Sequence, residues 1–381
     1  MEFVAILAVV VFVCWLEGFL YRKYAFYKLQ YRCYFSVPEA FEGDEITLVE
    51  EVTNAKLLPL PWLKAELTTS KWLDFAGSQS LVAEETRFVP SFFMMKSRHK
   101  VVRSWKVRCL KRGEFTLEKV ILVSADLLGS QSLSKPIEVG AVITVLPKPA
   151  DLTLGFQKVR SDAGPVIVRR HLLPDPFLIA GVREYTPHDS ASRIHWPLSV
   201  RQGKLMVRNN EYSADQSLAI ILNVQSREFE KKEVLEPVKI ESAIRVCAGF
   251  LDDTLRSGIP VGLWANASLS HDREPIITPF LWGREHVQEI FRVLSRIPLY
   301  STDFFSIFLN QVCTRIQASD MVLVTAYLND EIAQFASLRQ TMGTRVKIIL
   351  VSPALPESLP AHLEIYQYWN EEENGYERNS A

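Results

Sequence analysis

Glycine is scarce in this chain, with 16 residues among 381, where ordinary usage near 7% would give about 27. Phosphate cradles need closely spaced glycines so that backbone N–H groups can approach the anion, and no G-x-G-x-x-G or G-x-x-x-x-G-K pattern occurs. Cysteine is also sparse and odd in number. Cys14, Cys33, Cys109, Cys247 and Cys313 all lie at least 19 residues apart, which excludes C-x-x-C metal spacing and suits reduced, mostly buried thiols. An excess of one charge sign is missing as well. Forty-three Lys+Arg stand against 44 Asp+Glu, so the basic surplus of a dedicated nucleic-acid binder is absent. Neither G-x-S-x-G nor H-E-x-x-H is present, which leaves a hydrolase without a recognisable nucleophile or metal motif.

What the chain does have is apolar mass. Hydrophobic residues make up 48%, a globular composition, and the length predicts two to three domains at ~150 residues each. The apolar residues are concentrated first at the N-terminus. Phe3 to Leu16 is an unbroken apolar run of 14 residues; Glu17 interrupts it and Gly18 to Tyr21 resume it. The span matches the ~20 residues of a transmembrane helix, with Trp15, Phe19, Tyr21 and Tyr24 at its downstream end as an aromatic belt. A cleavable signal peptide fits less well, because Glu2 stands where basic residues belong and no small-x-small site follows. Arg22, Lys23, Lys28 and Arg32 follow the span and no basic residue precedes it. The positive-inside rule then predicts a single-pass protein of the cell membrane whose later domains are cytoplasmic.

Tyr34 to Pro149 reads as short strands separated by turns, the pattern of an all-β, immunoglobulin-like sandwich. Trp105, Val107 and Cys109 alternate with Lys106 and Arg108. Between Arg87 and Gly113 there are nine Lys or Arg and no acidic residue. That is either the solvated face of a strand pair or a weak membrane-surface patch. After Ser217 the pattern changes. Leu218 to Leu222 is a continuous apolar run, as in a strand buried on both faces. Ile240, Ile244, Cys247, Leu251 and Leu255 mark one helix face, stopped by Gly258. Further strands at 259–265, 321–326 and 346–351 alternate with helices, which predicts a parallel α/β sheet. The predicted organisation is an anchor with its basic flank (1–31), a sandwich (32–150), a connector (151–215), an α/β domain (216–370) and a polar, disordered tail (371–381).

The connector is the most distinctive segment. It runs Arg183-Glu184-Tyr185-Thr186-Pro187-His188-Asp189, then Arg193-Ile194-His195-Trp196, then Ser199-Val200-Arg201-Gln202-Gly203-Lys204-Leu205-Met206-Val207-Arg208. This stretch resembles the signature of the bacterial "domain of unknown function 58" family, R-E-Y-x-P-G-D-x-x-R-x-I-x-W-x-x-S-A-R-x-G-x-L-x-V-R. It departs at His188, where the family has Gly, and at Val200, where the family has Ala. Lys111 to Leu117, followed by Asp126-Leu127-Leu128-Gly129, is similar to the family's sandwich ending. Physically, the signature offers Arg183, Arg193, Arg201 and Arg208 as guanidinium groups, Glu184 and Asp189 as carboxylates, and Tyr185 and Trp196 as aromatic covers. An ionic network locking the segment in place, a docking surface for a partner and an anion site are all compatible with that set.

The resemblance implies more about the last domain, which in this family is similar to the von Willebrand factor A domain, a Rossmann-type fold. That fold holds a divalent cation through D-x-S-x-S at its first strand end. The equivalent here is Asn223-Val224-Gln225-Ser226-Arg227, so Asn223, Gln225, Ser226 and Arg227 form a degenerate site, and neither metal nor other cofactor is expected. The resemblance further implies a non-enzymatic interaction protein, an adaptor or partner of a MoxR-type AAA+ ATPase in the assembly or maturation of other proteins, held to the membrane by its N-terminal helix and binding no nucleic acid. A surface adhesion module and, further off, a hydrolase are the alternatives.

Overall fold

The structure, a computed structural model, describes residues 2–125, 132–152, 156–160, 164–167, 181–185, 194–209, 217–230, 233–270, 273–353, 360 and 362–369. The chain divides into two compact units, Met1–Lys148 and Pro149–Ala381.

The first unit opens with a helix, α1 (Glu2–Tyr24), followed by β1 (Leu29–Phe35), β2 (Glu39–Phe41), β3 (Glu45–Asn54), β4 (Leu60–Ser70), β5 (Leu73–Phe75), β6 (Leu81–Ala83), β7 (Thr86–Met95), β8 (His99–Cys109), β9 (Gly113–Ala125) and β10 (Ser132–Leu146). They build a four-stranded sheet in the order β1-β3-β8-β5 and a six-stranded sheet in the order β2-β10-β9-β4-β7-β6. Strict alternation sets which side chains face inward: Ile46, Leu48 and Val52 of β3, and Ala65 and Leu67 of β4, are buried in one core shared by both sheets. The sandwich is mixed, because β2 pairs with β10 in parallel. An immunoglobulin-type arrangement of seven or nine antiparallel strands is therefore not what forms.

The transmembrane expectation is also overturned. Among the described residues, no helix is long and apolar enough to cross a membrane. The reason lies in the second half of α1. Glu17, Arg22 and Lys23 interrupt the apolar sequence, and the end of the segment belongs to the protein core. Tyr21 is 3% exposed and Ala25 1%, both within the sandwich cluster. The Tyr21 hydroxyl is hydrogen-bonded to Ser124 Oγ, and the buried Lys56 ammonium donates to the Ala25 carbonyl at 2.7 Å.

The second unit continues with β11 (Phe156–Arg160), β12 (Gly164–Ile167), β13 (Gly181–Glu184), α2 (Trp196–Gln202), β14 (Met206–Asn209), β15 (Leu218–Leu222), α3 (Pro237–Ser257), β16 (Val261–Ala265), β17 (Ile276–Ile277), α4 (Arg284–Arg296), α5 (Phe305–Gln311), β18 (Asp320–Thr325), α6 (Asp330–Thr341), β19 (Arg345–Val351) and β20 (Glu364–Tyr368). The helix predicted from the 240–255 spacing is α3, and Gly258 ends it at φ 70°. Eight strands form one sheet in the order β12-β11-β20-β19-β18-β15-β16-β17. Its centre, β20 to β16, is parallel. Both margins are antiparallel: β17 on β16, and β11 and β12 beyond β20. The sheet is thus mixed, and the Rossmann-type, von Willebrand factor A-like description does not hold. The central strands read as apolar runs because both faces are covered, and every residue of β15 and β16 is buried. Of the margin strands, β17 has Ile276 buried and Ile277 exposed, so no run covered on both faces marks it.

Candidate functional site

Three parallel strands, β15, β16 and β18, deliver their following loops to one edge of the sheet. The carboxyl ends of parallel strands are where open α/β sheets present ligand and partner contacts, because the side chains there are free of ladder pairing. Asn223, the first residue beyond β15, is fully buried. Its amide donates to Thr325 Oγ1 at 3.0 Å, and its Oδ1 accepts from the Gln225 backbone N–H at 2.9 Å and from Asn266 Nδ2 at 3.3 Å. Asn266, at the end of β16, also accepts from the Val224 N–H at 2.7 Å. Gln225 is buried too. It donates to the Glu230 carbonyl at 2.6 Å and accepts from the Phe305 N–H, the first residue of α5, at 2.7 Å. Tyr327 donates to the same Gln225 oxygen at 3.4 Å, and burial pushes its phenol pKa up to about 12. The oxygens that would face a cation are therefore spent on holding loops together.

Ser226 and Arg227 serve a second element of the loop, Glu230. Its buried carboxylate accepts from Ser226 Oγ at 2.9 Å, from the backbone N–H groups of Ser226 at 2.5 Å and Arg227 at 3.3 Å, and from the Leu235 N–H. Four donors on one carboxylate make a closed clamp across residues 226–235. Ser226 Oγ also accepts from the Glu236 N–H at 3.0 Å. Arg227 turns outward and pairs with Glu236 at 2.6 Å. Burial would raise the Glu236 carboxyl pKa, but its hydrogen bonds and ion pairs with Lys239 and Arg227 outweigh that and hold it below the usual range. Sequence reading missed Glu230. The signal available was weak, since one Glu among Glu228, Glu230, Glu233 and Glu236 has nothing local to mark it.

The clamp forces an unusual backbone at its apex. Phe229 sits at φ 61°, a left-handed conformation that a bulky L-residue rarely adopts, and its side chain is 77% exposed. Leu235, at the other end of the clamped segment, is 66% exposed. Beside them lies a cavity of about 490 Å³ bounded by Glu230, Glu233, Arg273, Tyr300, Thr302 and Asp303. The Thr302 backbone N–H donates to the Asn266 carbonyl at 2.8 Å, while its buried hydroxyl meets no partner among the described residues.

The signature segment forms a small structure of its own. β13 and β14 pair antiparallel, with α2 between them in sequence. His195 caps α2 by accepting from the Leu198 N–H at 3.2 Å. Buried Ser199 donates to the His195 carbonyl at 2.9 Å and accepts from the Met206 N–H at 2.8 Å. Gly203 ends the helix at φ 66°, where a Cβ would be strained. Of the expected network, Glu184 pairs with Lys204 at 2.7 Å with both side chains about two-thirds exposed; such a pair contributes at most ~1 kcal/mol. The Tyr185 N–H donates to the Leu205 carbonyl at 2.8 Å. Trp196 is 61% exposed, and Arg201 is exposed in the last turn of α2. Asp189 and Arg193 lie outside the described residues, as do Asp126 to Gly129, the tail from 371, and the side chains of Arg183 and Arg208.

Four of the five thiols are buried, and Cys14 is exposed on α1. Burial pushes Cys109 to about 11 and Cys33 to about 12, and raises Cys247 and Cys313 further. A nucleophilic thiol needs the opposite shift.

Comparison with known proteins gives one family. The model described as "Protein of unknown function DUF58" matches residues 181–365. The chain is 22% identical over 313 residues to the uncharacterised protein YeaD of Bacillus subtilis strain 168, covering 81% of this chain and 72% of that protein. Among solved structures, it is similar to a non-cellulosomal cohesin from Archaeoglobus fulgidus (14% identity, 31% of this chain, 91% of that chain, TM-score 0.22). It is also similar to the bacterial hydrophobin BslA (12% identity, 32% of this chain, 97% of that chain, TM-score 0.21). At such scores these two likenesses bear on neither fold nor function.

Proposed function

Because residues 181–365 place this chain in the DUF58 family, we propose that the protein is a non-enzymatic interaction module whose partner docks on the loop edge of the second unit, with Phe229 as the anchor. The observation that carries this reading is the combination at one residue of a left-handed backbone, an exposed ring and a neighbouring carboxylate with four donors. Holding a bulky residue in a sparsely populated conformation costs ~1–3 kcal/mol. Leaving its ring in water forgoes the burial that would offset that cost. Glu230, with its four donors, supplies the restraint that keeps the ring presented. A rigid, exposed aromatic beside a cavity is what an interface hot spot requires, since little conformational freedom is lost when it is buried. Oxygens committed to internal hydrogen bonds and thiols held protonated favour docking over catalysis here. The partner class, a MoxR-type AAA+ ATPase, rests on the family resemblance carried by the signature.

The test is a titration of the purified full chain against a purified MoxR-type ATPase from the same source. Truncating a hot-spot aromatic costs ≥2 kcal/mol, so Phe229→Ala should weaken the complex by roughly 30-fold or more and leave the melting curve in place. Equal affinity of the variant and the parent would remove Phe229 from the interface. Failure of the parent to bind would remove the ATPase as the partner.

A further inference from the structure

The strands of the first unit run between two ends. At one end are turns of mixed charge, which carry Glu42, Asp44, Glu84, Glu85 and Glu114 together with Lys71, Lys111 and Arg112. These turns are tied together by Gly43 N–H to the Cys109 carbonyl at 2.7 Å and Lys71 N–H to the Glu85 carbonyl at 2.9 Å. The other end is where α1 meets the sheets. There the Ala55 N–H donates to the Lys28 carbonyl at 3.1 Å, the Arg98 N–H donates to the Lys56 carbonyl at 3.1 Å, and Asn54 Nδ2 donates to the Leu58 and Lys96 carbonyls at 2.9 and 3.0 Å. These bonds bring three distant segments, 22–28, 55–58 and 96–100, into one rim.

The rim is basic and apolar at once. Arg22, Lys23, Lys28, Lys96 and Arg98 are exposed on it, and Glu51 is already paired with Lys100 at 2.9 Å. Between the charges stand exposed apolar side chains: Leu57 at 69%, Met94 at 73% and Tyr27 at 54%. The Lys23 and Lys28 ammonium groups lie 5.5 and 5.3 Å from the ring centroids of Tyr24 and Tyr27. Trp62 and Phe92, 6.3 Å apart, add two more partly exposed rings. Exposed α1 side chains such as Phe12 and Trp15 lead away from the same end. Aromatic rings interleaved with Lys and Arg match the headgroup layer of a bilayer, which offers apolar depth to rings and negative charge to cations.

We infer that this rim docks the first unit on the headgroup layer of an anionic phospholipid membrane. The inference is independent of the docking edge on the second unit and requires no crossing helix. Each basic residue near an anionic surface contributes a preference of about fivefold. Lys96 and Arg98 lie on a turn outside the core, so their loss should not disturb folding.

Co-sedimentation of the full chain with vesicles decides it. Vesicles of phosphatidylcholine alone measure the apolar partition of α1. Vesicles of phosphatidylcholine with phosphatidylglycerol measure the rim in addition. The parent should prefer the anionic vesicles, and raised salt should remove the preference. Lys96→Ala with Arg98→Ala should cut that preference roughly 30-fold with an unchanged melting curve and unchanged partition into neutral vesicles. No anionic preference in the parent, or a preference the double variant keeps, overturns the inference. Displacement from vesicles by poly-glutamate equal to that by free phosphatidylglycerol overturns it in favour of an acidic protein segment. Self-association that hides Met94 and Leu57 in the absence of lipid overturns it in favour of a second copy.

Discussion

Replacing Glu230 by Ala removes one acceptor group that serves four donors: Ser226 Oγ and the backbone N–H groups of Ser226, Arg227 and Leu235. A hydrogen bond to a charged group contributes ~1.5–3 kcal/mol, and a buried donor left alone costs ~1–3 kcal/mol. Full loss at four positions would approach 10 kcal/mol. The cavity beside the loop admits water, so part of that loss is recovered, and a destabilisation of about 3–5 kcal/mol is expected. Against a total of ~5–15 kcal/mol this is large. At ~2–4 °C per kcal/mol for a unit of this size, the transition of the second unit should fall on the order of 10 °C. Glu230→Gln separates charge from shape. Its amide keeps one acceptor and turns an NH2 toward two of the donors whichever way it is oriented, so about half the effect should remain. Scanning calorimetry of the full chain measures both variants, with the second unit's transition read by itself where the two units unfold independently. Trypsin supplies a second reading: the bond after Arg227 should become labile in the Ala variant. If both variants melt within ~0.5 kcal/mol of the parent, the clamp does not hold the loop, and the explanation of Phe229 fails with it.

Three further outcomes are expected. Glu50 is fully buried in the first unit and accepts from Tyr31 Oη at 2.6 Å, Ser91 Oγ at 2.6 Å and Trp105 Nε1 at 2.7 Å. Glu50→Leu should cost ~3–6 kcal/mol by stranding three donors, and adding Tyr31→Phe should restore part of it in denaturant titrations; a silent Glu50→Leu would contradict the network. Burial holds the Lys56 ammonium pKa at about 8, below its ordinary 10.5, so between those values the unfolded chain binds more protons and stability rises with pH. Relative to Lys56→Met, the parent should gain up to about 3 kcal/mol from pH 8 to 10.5, and parallel pH profiles would show that the lysine is not buried as a cation. Exchange of millimolar Mg²⁺ for EDTA should leave the melting temperature of the second unit in place, because Asn223, Ser226 and Thr325 direct their oxygens to internal donors. A ligand at 100 times its Kd would add ~2.7 kcal/mol and be seen at once.

Local pattern alone was enough to place the elements whose physics is local. Five apolar residues in a row make a strand that both faces must cover, and Leu218–Leu222 is one. Spacings of 4, 3, 4 and 4 make a helix face, and α3 follows them to its glycine stop. The signature, too, was visible as a segment, and the roles of Ser199 and Gly203 in closing α2 against β14 follow from neighbours fewer than eight residues away.

What only the tertiary structure decided depends on partners far along the chain. The apolar N-terminal run looked sufficient to cross a bilayer until Tyr21 met Ser124, 103 residues away, and joined the sandwich core. Glu50 occupies an inward position of β3, between Leu48 and Val52, which alternation reveals; that Tyr31, Ser91 and Trp105 wait there for a carboxylate it does not reveal. Asn223 through Arg227 read as a worn metal site because the strand end was visible and its partners were not. Thr325, 102 residues on, and Phe305, 80 residues on, take up those polar atoms. Periodicity records the energy a residue shares with its near neighbours, whereas the pairing of distant polar groups is set by which strands close beside one another, and no short window of sequence contains both members of the pair.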